Sequence, residues 1–318
     1  MPNLPAYRLR LQNSKRLGFG LCGRRWARRH HQNLSMDIKQ HSELVTSIRH
    51  DVQEGQTMRL LLASDLHLDH PATDQAKVWR VFDRAVEAGA KIMLNGDTLC
   101  VMQGKADKRG SKSSIRPEHL HADYFGTLVE DIATKLAKYA PHIAYIGDGN
   151  HETAILKHNE IDLLGMLVKS INDKAGTSIV RGGYHGFIRV FMHYGGASIR
   201  QHTIYHHHGK YGGEVTKGVL GVNRHAVVIP DADTVWTGHT HTGWLVMQPR
   251  LRLYKNHDVE TKMQYHVKTG TAKDDFSTAG GFAVERIAAP PTMVAWMMSL
   301  THASHSKELK VGFENIEY

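Results

Sequence analysis

Three short, almost unbroken apolar runs constrain this chain most: "RLLLA" (Arg59–Ala63), "KIMLN" (Lys91–Asn95) and "HIAYI" (His142–Ile146). Runs apolar on both faces read as strands buried on both sides. Helical patterns separate them. "DQAKVWRVFDRAVEAG" sets Val78, Val81, Phe82 and Ala85 on one face, with Gly89 placed as the stop. "YFGTLVEDIATKLAKYA" (Tyr124–Ala140) predicts a second helix. "AILKHNEIDLLGMLVKSIND" (Ala154–Asp173) predicts a third, with Leu163, Leu164, Leu167, Val168 and Ile171 as its stripe. Beyond Gly182 the runs "FIRVFMHY", "HTIYHHH", "VVIPDADTVWTG", "WLVMQ", "RLRLY" and "MQYHVKTGT" read as strands separated by turns. A βα-rich half followed by a β-rich half predicts two packed mixed β-sheets flanked by helices, an α/β (α+β) four-layer sandwich.

Polar residues sit where these runs end. Asp65 and His67 follow the first and Asp97 follows the second. Asn150 and His151, in "GDGNHE" (Gly147–Glu152), follow the third. His206, His207 and His208 close "TIYHHHG", and His239 and His241 follow "TVWTG". Carboxyl ends of neighbouring strands converge on one crevice. If the backbone stays extended, the period-2 spacing of Asp65-x-His67 and His239-x-His241 points each pair one way. Singly, a "GD" or an "HTH" is ordinary, and a histidine triplet is more often a solvated run. Five such clusters in one order point to a metal centre. The donors are oxygen and nitrogen without thiolate, which suits Mn, Fe or Zn. Seven ligands exceed one tetrahedral ion and suit two ions sharing a bridge.

Composition narrows the classes. Only Cys22 and Cys100 occur, far apart, so a disulfide framework is not expected, and a reducing cytoplasm fits. No apolar run approaches the roughly 20 residues of a spanning helix. The formal charge of +9 invites a nucleic-acid reading, but residues 1–57 hold ten Lys and Arg against four Asp and Glu, leaving 30 against 27 for 58–318. Residues 1–57 therefore read as a basic leader and 58–318 as the body, with motifs over 65–241 and a β-rich part over 242–318. Three accounts of the leader stay open. It is a solvated arm, a presequence without a convincing amphipathic helix, or a segment not translated natively. In the last case Met58 is the start and the purine-rich codons of Glu54-Gly55 a ribosome-binding site. The polar stretch Gln103–His119 reads as a long loop.

The blocks "DLH", "GD", "GNHE", "HG" and "GHTH", from Asp65 to His241, resemble those of the calcineurin-like metallophosphoesterase superfamily. "GGEVTKGVLGVNR" (Gly212–Arg224), "KTGT" (Lys268–Thr271) and "GGFAVERIAAPP" (Gly280–Pro291) look like segments of uncharacterised bacteriophage-type phosphoesterases. The resemblance implies a metallo-dependent phosphatase-like fold and two divalent metal ions, Mn first with Fe or Zn as alternatives. It implies that Asp65, His67 and His241 hold one ion, that Asn150, His208 and His239 hold the other, and that Asp97 bridges them. His208 is preferred within the triplet because Gly209 follows, with His206 the fallback. His151 becomes the imidazole that stabilises or protonates the leaving oxygen, and Glu152 receives no direct role.

The implied activity is hydrolysis of phosphate esters by a metal-bridged hydroxide, in a cytoplasmic protein with no membrane partner. Lys210, Lys217 and Arg224 are candidate phosphate contacts. "GDTLCVMQGK" lacks the Asp-Arg-Gly of protein Ser/Thr phosphatases, which disfavours them. A phosphodiesterase or nuclease acting on DNA or RNA fits the basic loop Lys105–Arg116. A small-molecule phosphomonoesterase or nucleotide phosphatase fits the near-neutral body. The reading from another class is a non-catalytic nucleic-acid-binding scaffold, whose usual sign, a lost ligand, is missing.

Overall fold

Leucine, isoleucine and valine crowd the apolar runs, and the chain folds them as strands linked by amphipathic helices. The computed structural model describes residues 36–53, 55–101, 114–194, 198–210, 216–276, 289–302 and 309–318. The chain divides into two compact units, 1–33 and 34–318, and every described residue lies in the second. Strands β1 (Met36–Ser42), β2 (Val45–Val52), β3 (Thr57–Ala63), β4 (Lys91–Asn95), β5 (Ile143–Gly147) and β6 (Val180–Arg181) come first. They are followed by β7 (His185–Tyr194), β8 (Ser198–His207), β9 (Thr234–Thr237), β10 (Trp244–Leu253), β11 (Val259–Lys268), β12 (Val294–His302) and β13 (Leu309–Glu317). The helices are α1 (Gln75–Glu87), α2 (Tyr124–Ala137), α3 (Asn150–Asn159), α4 (Leu163–Ala175) and α5 (Gly221–Val228).

Two mixed sheets result, ordered β1-β2-β7-β8-β9-β11-β10 and β13-β12-β3-β4-β5-β6. Strands β3 to β6 run parallel because helical crossovers join most of them, while β12 closes against β3 antiparallel. Alternation along β3 divides the core: Leu61 and Ala63 face the helices with Phe82, Leu128 and Leu167, whereas Leu60 and Leu62 meet Ile188, Val190 and Trp236 between the sheets. Helix α1 starts where Asp74 accepts from the Ala76 and Lys77 amides, and the chain leaves it through Gly89 at φ +65°. Beyond the first sheet, Ile229 and Ala232, just after α5, pack with Val235, Phe187 and Tyr205. Helices thus flank both sheets. Among the described residues no helix is long and apolar enough to cross a membrane.

Four sequence expectations are corrected. The body does not begin at Met58: β1 and β2 belong to the first sheet, β2 pairs in parallel with β7 from Val45↔Phe187 to Val52↔Tyr194, and Ile48 is fully buried. The other leader readings fall on 1–35, outside the described residues. The helix expected over Ala154–Asp173 is two: Glu160 turns left-handed at φ +57°, and Asp162 caps α4 by accepting from the Gly165 amide. Val227 and Val228 end α5 instead of opening a strand. Pro249 does not separate two strands but sits within β10, at the outer edge of its sheet, where a missing N–H is tolerated. Most of the basic loop, 102–113, and most of Gly280–Pro291 lie outside the described residues, as do 212–215 of Gly212–Arg224.

Candidate metal centre

Each polar cluster lies just past a strand end: Asp65 and His67 after β3, Asp97 after β4, His208 after β8, and His239 and His241 after β9. Asn150 and His151 open α3. The backbone there is not extended, correcting the period-2 expectation. Asp65, His67, Asp97, His239 and His241 have φ of +53°, +44°, +48°, +73° and +54°. A non-glycine residue held there costs about 1–3 kcal/mol and concentrates at functional sites. The loops lock one another in place, since Asp65 N–H donates to Gly96 O and His67 N–H to Asp97 O, both at 3.0 Å. Glycine serves close approach here. A Cβ on Gly96 would lie 2.5 Å from His208 Nδ1, and one on Gly149 would collide with the amide and carboxylate of Asp97. Gly149 itself is extended, at φ −111°, so its role here is the missing side chain.

The structure brings all seven expected ligands together. His67 Nε2 lies 3.2 Å from His241 Nε2, which is 3.6 Å from Asp65 Oδ1. His208 Nε2 lies 3.2 Å from Asp97 Oδ2, 3.1 Å from Asn150 Oδ1 and 3.9 Å from Asp65 Oδ1. Asn150 Oδ1 is also 2.6 Å from His239 Nδ1. Asp65 Oδ1 is buried without a hydrogen-bond partner among the described residues. His206 is excluded as the fallback ligand, because its ring is spent on Tyr145 Oη at 2.6 Å and Asn95 Oδ1 at 3.1 Å.

The electrostatics call for cations. Burial, with neighbouring imidazoles, holds His67 well below its usual range and His239 at about 4, and burial also lowers His241. These rings are neutral, the form that offers a lone pair. Burial opposes charge on His208, yet Asp97 and Asp65 outweigh it and raise the ring to about 10. Two buried carboxylates are thus drawing in a positive charge. With O and N donors, an orphaned carboxylate oxygen and facing imidazole nitrogens, the residues fit two divalent ions.

Three supports position this set. Asn95 O accepts from His208 Nδ1 at 2.8 Å, which leaves Nε2 facing inward. The "KTGT" segment clamps Asp65: Thr271 Oγ1 and Ala272 N–H both donate to Asp65 O, at 2.6 and 3.1 Å. Thr269 Oγ1 lies 2.6 Å from Ser64 Oγ, which donates to Asp65 Oδ2. Glu152, given no role from sequence, accepts from the amides of Asp97 at 3.1 Å, Gly149 at 3.0 Å and Leu99 at 3.0 Å. The signal was present, because an acid at the third position of a helix reaches back to the cap. Burial and Asp97 push its carboxyl up to about 8, against three donors that favour the anion. In Glu152→Gln an amide group faces one of these donors. We expect a loss of about 3 kcal/mol, read from urea unfolding, and weaker metal retention. Unchanged values for both would remove Glu152 from the site's framework.

His151 has Nδ1 2.5 Å from Cys100 O, and its Nε2 faces Asp97 Oδ2 at 3.8 Å. The Cys100 thiol lies beside His67 and His151, but burial raises it well above its usual range, so it stays neutral. Asp148 pairs with Arg181 at 3.4 Å, outside the cluster. The expected phosphate contacts are not brought in. Lys210 and Arg224 are exposed, Lys217 is half-buried, and no contact joins their side chains to the seven ligands among the described residues. Two cations that sequence reasoning passed over stand nearer. Lys273 acts on His67 and His241 but is paired with Asp275 at 3.0 Å. Lys268 is 3% exposed and acts on His239.

No protein-family description matches the chain, and no curated protein matches it. Solved structures with related shape include a conserved uncharacterized protein, a predicted phosphoesterase, from Streptococcus pneumoniae TIGR4. It is 12% identical, with 83% of this chain and 99% of that one covered and a TM-score of 0.30. Vacuolar Protein Sorting 29 from Cryptosporidium parvum is 13% identical, with 82% and 99% covered and a TM-score of 0.31. GAP50, the anchor in the inner membrane complex of Plasmodium, is 8% identical, with 82% and 84% covered and a TM-score of 0.40. Likeness at this level carries no argument about chemistry.

Proposed function

We propose that this chain is a dinuclear metal-dependent phosphoesterase that hydrolyses phosphodiesters. The observation that carries the reading is Asp65 Oδ1, buried and unpartnered, with His241 Nε2 at 3.6 Å and His208 Nε2 at 3.9 Å. A buried carboxylate oxygen without a donor is costly unless a cation meets it. Asp65, His67 and His241 would hold one ion and Asn150, His208 and His239 the other, with Asp97 shared. When bound, two such ions supply an activated water and offset charge on the phosphoryl oxygens.

The protein's own groups do the rest. The buried cage fixes the donors before substrate arrives, so little reorganisation accompanies reaction. With Nδ1 held at the Cys100 carbonyl, His151 Nε2 is the atom free to deliver a proton to the leaving oxygen. That gives leaving groups different needs. p-Nitrophenolate leaves without a proton, whereas the alkoxide of a nucleic-acid strand requires one.

The test strips the protein of metal, recharges it with Mn²⁺ and compares bis-p-nitrophenyl phosphate, p-nitrophenyl phosphate, and labelled single- and double-stranded DNA. We expect two ions per chain and diester hydrolysis that chelation abolishes. His151→Ala should lose at least about tenfold more activity on an alkyl-leaving diester than on the nitrophenyl one. Cleavage of DNA would make the enzyme a nuclease, and intact DNA would direct the search to small diesters. A protein holding two ions and hydrolysing none of these would refute the reading.

A further inference from the structure

The imidazole of His151 rests on main chain: its Nδ1 lies 2.5 Å from the Cys100 carbonyl oxygen. A carbonyl only accepts, so Nδ1 carries a proton and donates it to this bond. Cys100 and Val101 lie in a loop, outside any strand or helix, so something must hold that carbonyl in place. The support stands at the far end of the same peptide. A trans peptide points its C=O and its N–H in opposite directions. The N–H that shares a plane with Cys100 O is that of Val101, and it donates to Asp69 Oδ2 at 2.8 Å. The preceding amide, of Cys100, donates to Asp69 Oδ1 at 2.5 Å.

Asp69 is itself firmly set. It is 3% exposed and lies in the turn that His70 N–H closes onto His67 O at 2.9 Å. Its neighbour Leu68 is pinned on both sides. Leu68 N–H donates to Thr98 O at 3.0 Å, and Leu68 O accepts from Gln75 Nε2 at 2.7 Å and Arg116 Nε at 3.2 Å. Two successive amides closing on one carboxylate make the concavity that main chain forms around anions. Val101 adopts φ +51°, where a β-branched residue is rarely found, and the bonds to Asp69 hold the loop in that shape. A carboxylate at the N–H end of a peptide pushes electron density toward the carbonyl oxygen, so the bond to His151 Nδ1 strengthens. The His151 backbone is fixed separately, its N–H donating to Asp97 Oδ1 at 3.0 Å.

We propose that Asp69 is a positioning residue for proton delivery, acting on His151 through the Cys100–Val101 peptide. Carboxylate, amide, carbonyl and Nδ1–H form one chain that fixes the ring and leaves Nε2 facing the leaving oxygen. In the transfer, the Nε2–H bond breaks as the leaving oxygen takes the proton, and the Nδ1 proton stays on the ring. This rests on the phosphoesterase reading and adds the residue that orients its acid.

The test uses the full chain as wild type, Asp69→Asn, Asp69→Ala, His151→Ala, and Asp69→Asn combined with His151→Ala. Asp69→Ala runs beside Asp69→Asn because water can take both amides there, whereas asparagine sets an amide group against one of them. Three quantities are measured: Mn²⁺ content, hydrolysis of an alkyl-leaving and a nitrophenyl diester, and the histidine ring N–H resonances of the isotope-labelled, metal-free protein. Wild type should show a downfield ring N–H that His151→Ala removes, and the Asp69 variants should lose it or move it upfield. With both ions retained, they should lose at least about tenfold more activity on the alkyl-leaving diester than on the nitrophenyl one. Added to His151→Ala, Asp69→Asn should change alkyl hydrolysis by less than about twofold, because the two residues act as one unit. A purely structural residue would instead lower both diesters alike and add its loss to that of His151→Ala, and either result would overturn the proposal. So would loss of the metals, or a wild-type ring N–H in a folded Asp69 variant. A protein that hydrolyses no ester, but whose ring N–H depends on Asp69, would keep the positioning and remove the phosphoesterase reading.

Discussion

Asp97→Asn is expected to lower metal affinity and diester hydrolysis by at least about a hundredfold each while the protein stays folded. Asp97 is 2% exposed, and its two oxygens have separate duties. Oδ1 accepts from the His151 backbone N–H at 3.0 Å, which an asparagine oxygen reproduces. Oδ2 faces His208 Nε2 at 3.2 Å, and there the substitution replaces an anionic acceptor with an amide donor. Burial opposes the Asp97 charge, but His208 and His151 outweigh it and hold its carboxyl well below the usual range. With that charge gone, His208 loses much of what keeps it protonated and returns to the neutral ring. No orphan cation remains, so the fold survives and the loss falls on the metals. Metal content by elemental analysis, hydrolysis with Mn²⁺, and near-ultraviolet circular dichroism check the three parts. A variant that keeps both ions and hydrolyses at the wild-type rate would make Asp97 a bystander.

Much of this centre was legible in the sequence because its ligands are chemically unlike their surroundings. Apolar strands leading straight into Asp, Asn and His mark the ends that face a common crevice, and no knowledge of the turn geometry is needed to see it. The geometry itself was not legible. Nothing in "DLH" or "HTH" announces left-handed residues, because tertiary hydrogen bonds such as Asp65 N–H to Gly96 O impose them. Glu152 carried a local signal, but its value depends on reaching the Asp97 and Leu99 amides, more than fifty residues away. The helix break at Glu160 was hidden because the apolar stripe from Leu163 to Ile171 belongs wholly to α4 and says nothing about what precedes it. Lys268 was read as part of a motif, and nothing in the sequence sets it apart from the thirty-nine other Lys and Arg side chains as a buried one.

A chain beginning at Met58 is expected to fail to fold cooperatively when compared with one beginning at Met36. The comparison isolates β1 and β2, whose sequence disguised them. "VTSIRHDV" places Thr46 and Ser47, 4% and 2% exposed, beside Ile48, so apolar and polar residues do not alternate cleanly. The ladder explains the burial. Strand β2 pairs with β7 over eight positions, and β1 covers its other edge, so β2 is an interior strand of the sheet. Without it, β7 becomes an edge with its hydrogen-bonding groups open, and Ile188, Val190 and Met192 lose cover from Ile48 and Val52. Each large aliphatic side chain returned to water costs about 1.5–3 kcal/mol. Two lost with β2 and partial exposure of three more amount to at least about 5 kcal/mol, as much as many domains possess in total. Thermal unfolding and soluble yield provide the measurement. The Met36 chain should unfold in one sharp transition, and the Met58 chain should aggregate or show none. A Met58 chain melting within a few degrees of the longer one would mean that β7 tolerates an open edge. The first sheet would then be complete without β1 and β2.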